Sequence, residues 1–264
     1  MKKSVRTCLA PFIPSILCLA LLAGCGGGGV ESGGTEAPAA STDSFTYSGD
    51  IRVDSLITPY EQQWNWNFIA PGRALQYTFD VSDTSSASPS LTRSTPFNAA
   101  QRSAAKAILN YVTSVTGIVF VESTDPQLAD FIFVTADAGG FGQVSWSSVS
   151  RRPAAYIALN YSSVNSNRSV DPFGFVAPSP GTFGYMVLLH EIGHALGLKH
   201  PTEGLFRIPA TDAVLPNTVM LAAFGGGGAS TFAPYDLLAL KWIYGGDGLG
   251  GNNGFNSKLG PSFN

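Results

Sequence analysis

All three histidines of this 264-residue chain fall in one short stretch, His190-Glu191-Ile192-Gly193-His194-Ala195-Leu196-Gly197-Leu198-Lys199-His200. Helical residues four apart stack one turn above another on one face, so His190 and His194 can aim imidazole nitrogens at one point. A tetrahedral Zn²⁺ takes neutral imidazoles at about 2.0–2.1 Å. Glu191 projects beside that face. It is placed to take a proton from a water at the metal and need not ligate. Gly197 can adopt a positive φ, ending the helix and turning the chain sharply. His200 then returns as a third ligand, and Pro201 prevents helical continuation. Three protein ligands leave a fourth position open, the pattern of a catalytic rather than a structural zinc. No fourth His and no Cys after Cys25 is available to close it; an Asp or Glu ligand stays open. The bland alternative is a zinc-stabilised fold without turnover. Glu191 weighs against it, because a purely structural site needs no carboxylate there.

These residues require a helix, and residues 183–198 read as one, apolar on most sides and therefore buried. Gly193 inside it costs about 1 kcal/mol against Ala, which points to close packing at that position. A surface helix spans 98–116. Asn98 caps it, with Gln101 in the capping-box position. Ala104, Ile108, Tyr111, Val112 and Val115 form its apolar stripe, and Gly117 stops it. A third helix runs from about Pro234 to Tyr244, with Pro in the first turn and Gly245-Gly246 beyond the end. Strands are read at Gln76–Val81, Ile118–Val121, Phe131–Ala136 and Ala154–Leu159. Trp64, Trp66 and Phe68 alternate as on one strand face and read as packing residues rather than a ligand platform. Gly139-Gly140-Phe141-Gly142 reads as a loop. It is no phosphate cradle, since it lacks the dinucleotide spacing and a following Lys-Ser/Thr. There is no internal repeat. The order β, α, β, β, β, α, irregular, α predicts one α+β (mixed α/β) domain.

The histidine motif resembles the metzincin clan of zinc endopeptidases, and within it the serralysin and matrixin branch, which Pro201 directly after the third His fits. Asn217-Thr218-Val219-Met220 is similar to the family's Met-turn. Ala233-Pro234-Tyr235-Asp236-Leu237-Leu238-Ala239-Leu240-Lys241-Trp242-Ile243-Tyr244-Gly245 looks like the serralysin helix that follows it. The resemblance spans roughly residues 50–246 and is most specific at 190–200. It implies a twisted, mostly parallel sheet with two long helices, a zinc cleft and a C-terminal helix. It implies one catalytic Zn²⁺ on His190, His194 and His200, Glu191 as general base, and Met220 beneath the ligands. It also implies a protein or peptide substrate paired with an edge strand by β-augmentation. Ala154–Leu159, with Ala154 and Tyr156, is the candidate edge; Leu221, Ala222 and Ala223 are candidates for the main specificity pocket. Departures from the pattern are visible. Ala222 stands where serralysins carry a Tyr two residues after the Met. Gly246-Asp247-Gly248-Leu249-Gly250-Gly251 is at best a fragment of their calcium-binding roll, so no calcium is expected, and Gly225–Gly228 reads as a loop. No Cys follows Cys25, so a matrixin cysteine switch is not expected. Two competing readings stay open: an idle zinc-binding surface lipoprotein that binds rather than cuts, and another zinc hydrolase such as an amidase.

Composition bounds the rest. The chain is 44% hydrophobic and only 12% charged, against about 25% charged in typical soluble domains. Its formal net charge of −3 offers no basic patch for phosphates, so nucleic acid is excluded as a partner. Lys2, Lys3 and Arg6 precede an apolar run from Leu9 to Leu22, a secretory signal too short for a permanent membrane helix. Leu22-Ala23-Gly24-Cys25 resembles a bacterial lipobox, which implies cleavage after residue 24 and lipidation of Cys25; the alternative is an ordinary cleavable signal. Cys8 and Cys18 would leave with the signal, so no disulfide is expected. Gly26 after Cys25 resembles outer-membrane sorting if the source is a diderm bacterium. Residues 25–44 read as a flexible tether, and residues 45–264 as the domain. A monomer is expected.

Overall fold

The computed structural model describes residues 47–57, 66–82, 91–138, 140–147, 154–160, 171–223 and 227–250. The expected signal peptide, Cys25, the tether and Trp64 lie outside the described residues. The fold is a mixed α+β domain with a mostly parallel sheet, and it fits a metzincin-like domain.

Six strands form the sheet: β1 (Leu75–Thr78), β2 (Thr92–Pro96), β3 (Phe120–Glu122), β4 (Phe131–Asp137), β5 (Gly142–Ser147) and β6 (Ala154–Asn160). Their order is β3-β1-β4-β6-β5, with β2 also pairing β4. The β1–β3, β1–β4 and β4–β6 pairs are parallel; β2 and β5 run antiparallel to their neighbours. Among the described residues five α-helices accompany them: α1 (Ile51–Asp54), α2 (Trp66–Ile69), α3 (Ala99–Thr116), α4 (Phe183–Ala195) and α5 (Pro234–Tyr244).

Local chemistry explains α3 and α5. Asn98 accepts from the Gln101 backbone N–H, Gln101 returns a side-chain acceptor to the Asn98 N–H, and Gly117 closes α3 with φ +76°. Gly245 closes α5 at φ +69°. Both left-handed ends are where glycine avoids a Cβ clash.

Four sequence expectations are corrected. Trp66 and Phe68 lie in a one-turn helix, not a strand; short apolar runs do not distinguish the two periods. The helix expected over 183–198 ends at Ala195. Gly142 is no loop residue but begins β5, and β2 was not read at all, because its Thr-Arg-Ser-Thr-Pro is exposed and lacks an apolar face. Most consequentially, Ala154–Leu159 is no edge. Strand β6 pairs with β4 on one side and β5 on the other. Ala154 is 1% and Tyr156 2% exposed. Ala155, Ile157 and Leu159 enter the main core, while Ala154, Tyr156 and Ala158 pack in a second core on the other face. That double burial is why the strand reads as a continuous apolar run. Ala154 and Tyr156 are therefore not substrate contacts of an edge strand; among the described residues the strand order ends at β3 and at β5, which pairs only β6.

Candidate metal centre

Helix α4 begins at Thr182, whose hydroxyl accepts from the Tyr185 N–H. It is buried along almost its whole length. Its last carbonyls are taken by two buried donors: Trp66 Nε1 donates to Ala195 O at 2.8 Å and the Tyr244 hydroxyl to Leu196 O at 2.7 Å. Such carbonyls have no helical partner of their own. Gly197 then turns the chain at φ +96°, as the sequence predicts. Gly193 is also explained: a Cβ there would sit 2.6 Å from Met220 Sδ. Met220 packs against the helix at Gly193, between the two helical histidines, and would have to shift to admit a side chain there.

His190, His194 and His200 come together as a group that could hold a metal ion, their candidate ligand atoms all within 4.8 Å of one another. The Nε2 atoms of His194 and His200 are 3.2 Å apart, and those of His200 and His190 3.3 Å. Each Nδ1 faces an oxygen: Val219 O for His190 and Leu198 O for His194, both at 2.8 Å, and Glu203 Oε1 for His200 at 2.9 Å. An oxygen partner assigns the proton to Nδ1 in every ring. All three Nε2 atoms are then acceptors, converging with no proton between them. Three lone pairs at that spacing repel unless a cation sits among them. Bonds of about 2.0–2.1 Å at tetrahedral angles place nitrogens about 3.3 Å apart, so the donor set fits such an ion.

Electrostatics agree. Burial, followed by the neighbouring imidazoles, holds the pKa of His190 well below the ordinary histidine value. The same causes push His194 down to about 3. These two rings are neutral at physiological pH, as metal binding requires.

Glu191 is fully buried. A Cβ on Gly142 would lie 2.7 Å from Glu191 Oε1 and 3.0 Å from Ala158 O. The first residue of the edge strand thus lets the carboxylate lie against its backbone. Gly142 was missed by sequence reasoning; a glycine opening a strand is the signal for a close approach. Also missed was Asp236, buried at the start of α5. It accepts from the Thr218 hydroxyl at 2.5 Å and from the backbone N–H groups of Val219 at 2.8 Å and Ala233 at 2.9 Å. Burial raises its pKa to about 6 against the pull of those donors. Asp236 thereby ties the Met-turn to α5, and the Met-turn's Val219 carbonyl orients His190. Leu221 is buried and Ala222 partly exposed just beyond Met220.

No family model matches the chain. Its relatives lie elsewhere. Serralysin of Photorhabdus luminescens is 30% identical over 145 residues, covering 54% of this chain and 27% of that protein. The likeness is to serralysins. Serralysin B of Dickeya chrysanthemi is 27% identical over 161 residues, 60% of this chain and 32% of its own length. Metallopeptidase AprA of Pseudomonas marginalis is 26% identical over 131 residues, 49% and 27% respectively. The matches thus span about half of this chain and a third or less of each relative. With the histidine group, these distant relatives support a metzincin-like zinc metalloprotease.

Proposed function

We propose that the protein is a zinc-dependent endopeptidase in which His190, His194 and His200 hold the ion and Glu191 is the general base. The observation that carries this reading is the convergence of three Nε2 acceptors, each with its Nδ1 committed elsewhere, beside a buried carboxylate that supplies no ligand atom to the group. When bound, zinc would polarise the scissile carbonyl and lower the pKa of water at the site.

The chain's own residues do the remainder. Glu191 takes the proton of the attacking water and delivers it to the leaving amine. An extended peptide adds as another strand alongside Gly142–Ser147, bringing its scissile bond toward Glu191. Leu221 and Ala222 line the side-chain pocket. With Ala at position 222, that position offers no tyrosine hydroxyl to the developing oxyanion.

The proposal extends to the N-terminal part. Residues 1–24 are a signal peptide, Cys25 carries the lipid, residues 25–44 are the tether and the domain is exported to the cell envelope. Among the described residues no helix is long and apolar enough to cross a membrane. In this proposal the acyl chains on Cys25 provide the attachment. Incorporation of a labelled lipid precursor, lost in Cys25→Ser, tests the anchor.

The decisive assay is digestion of a peptide library by wild type and Glu191→Ala, with cleavage sites read by N-terminal proteomics. Glu191→Ala should keep zinc and lose at least two decades in rate, on the order of general-base removal. Equal turnover in the variant rejects Glu191 as base. Wild-type protein that holds zinc and cuts nothing favours the binding-module reading.

A further inference from the structure

Two side chains that serve neither ligation nor the proton transfer converge on the third ligand. Lys199 is almost fully buried, an expensive place for an ammonium. It sits in a cage of backbone carbonyls. Its Nζ donates to Glu203 O at 2.6 Å, His200 O at 3.1 Å and Phe206 O at 3.3 Å, and to Ser55 O just beyond α1. Its own N–H donates to Leu56 O at 2.9 Å. The ring of Tyr47 meets that of Phe206 at 4.3 Å. An internal cation thus gathers the loop after His200 onto the N-terminal segment 47–57. Glu203, whose backbone carbonyl joins this cage, turns its carboxylate back onto His200 Nδ1 at 2.9 Å while remaining 58% exposed.

We propose that Glu203 and Lys199 are positioning residues for the metal ligand His200. Lys199 fixes the loop and Glu203 fixes the ring. A carboxylate on Nδ1 sets the tautomer that presents Nε2 and raises its basicity toward the ion. His190 and His194 have backbone carbonyls in that place. Segment 47–57 is part of the same support, because it supplies one of the four caging carbonyls, Ser55 O, and the Leu56 O that accepts from the Lys199 N–H. The inference rests on the zinc reading of the histidine group.

The test uses the full chain and two readouts: zinc affinity by competition with a chromophoric chelator, and thermal unfolding of the metal-free protein. Glu203→Ala should bind zinc roughly 10- to 100-fold more weakly with an unchanged melting temperature, its carboxylate being exposed. Glu203→Gln should lose less, since its amide oxygen can still accept from Nδ1. Lys199→Met should weaken zinc and lower the melting temperature together; if it does not fold, Glu203→Ala decides alone. Zinc held by Glu203→Ala as tightly as by wild type overturns the proposal, as does an affinity loss that only tracks a fall in stability. Failure of wild type to bind zinc, or undiminished binding by His190→Ala, is a different result and strikes the zinc reading itself.

Discussion

The helix-borne and loop-borne halves of the candidate metal centre are held by different means. His190 and His194 ride on a buried helix, and backbone carbonyls of Val219 and Leu198 orient their rings. Hydrophobic packing would form that helix in any case, so their directions come with the core. His200 arrives on a turn and leans on side chains, the Glu203 carboxylate and the caged Lys199. Ligands supported by main chain in a close-packed interior are stiff. Ligands supported by exposed side chains can be tuned by substitution. Removing a helical ligand should therefore cost the site most. Zinc sites gain about 10–16 kcal/mol from a full ligand set, so His194→Ala should weaken zinc on the order of a thousandfold, read by chelator competition. A loss no larger than that of Glu203→Ala would erase the distinction between the halves.

Stiffness also makes the helical side brittle. A methyl placed on Gly142 meets Glu191 Oε1 at 2.7 Å and Glu191 Cγ at 2.8 Å, and the Ala158 carbonyl behind it belongs to an interior strand and cannot retreat. Gly142→Ala should lower kcat/KM by about 10- to 100-fold, the cost of a displacement near 1 Å at a reacting group. Zinc affinity should hold, because no ligand moves. Steady-state cleavage and metal titration of the same sample separate the two. Lost zinc with retained activity per bound ion would show that the edge strand supports the ligands and not the carboxylate.

How much of this was legible follows the same division. Helix α4, the grouping of its two histidines, the turn at Gly197 and the close packing at Gly193 could be read because each is encoded locally, by periodicity, a breaker or an interior glycine. Helices α3 and α5 were legible from caps at both ends. The sheet edge was not. Strand β6 reads apolar from Ala154 to Leu159 because it is buried on both faces, and nothing local tells an interior strand from an outer one. Strand β5 opens with the glycine that made it look like a loop. The partners of His200 and the Asp236 bridge are invisible for another reason. Lys199, Glu203 and Asp236 are ordinary polar residues until the fold brings carbonyls, an imidazole or amides to them, and Ser55 lies 144 positions from Lys199.

A smaller effect should come from beneath the helix. The Thr218 hydroxyl donates to Asp236 at 2.5 Å and accepts from the Met220 N–H at 2.9 Å, all buried. Thr218→Val strips both bonds without changing shape, which should cost about 1–3 kcal/mol by leaving a carboxylate oxygen and an amide unsatisfied. Denaturant unfolding measures it. Zinc affinity should change only a few-fold, on the order of 1 kcal/mol or less, because Val219 keeps its own bond to Asp236. A zinc loss as large as that of Glu203→Ala would mean that main-chain support is no stiffer than side-chain support.

The smallest predicted effect is the pH dependence of the metal-free protein, and it bears on the helical pair alone. Burial depresses the pKa of His190 and His194. Their unfolded-state values lie near 6.5. As pH falls through that value the unfolded chain takes up protons that the folded chain refuses, so stability declines with acidification. Asp236 acts in the opposite sense. Its folded pKa near 6 exceeds the unfolded value, so the folded form takes up its proton first and recovers some stability between pH 6 and about 4. Two depressed groups against one raised group leave a net loss throughout. The melting temperature should fall by about 2–4 °C between pH 7 and pH 6 and further below. His190→Ala, with one such ring removed, should show a shallower slope. A flat profile from pH 7 to pH 5 would mean that the helical imidazoles accept protons inside the fold, and that their side of the site is as open as the loop that carries His200.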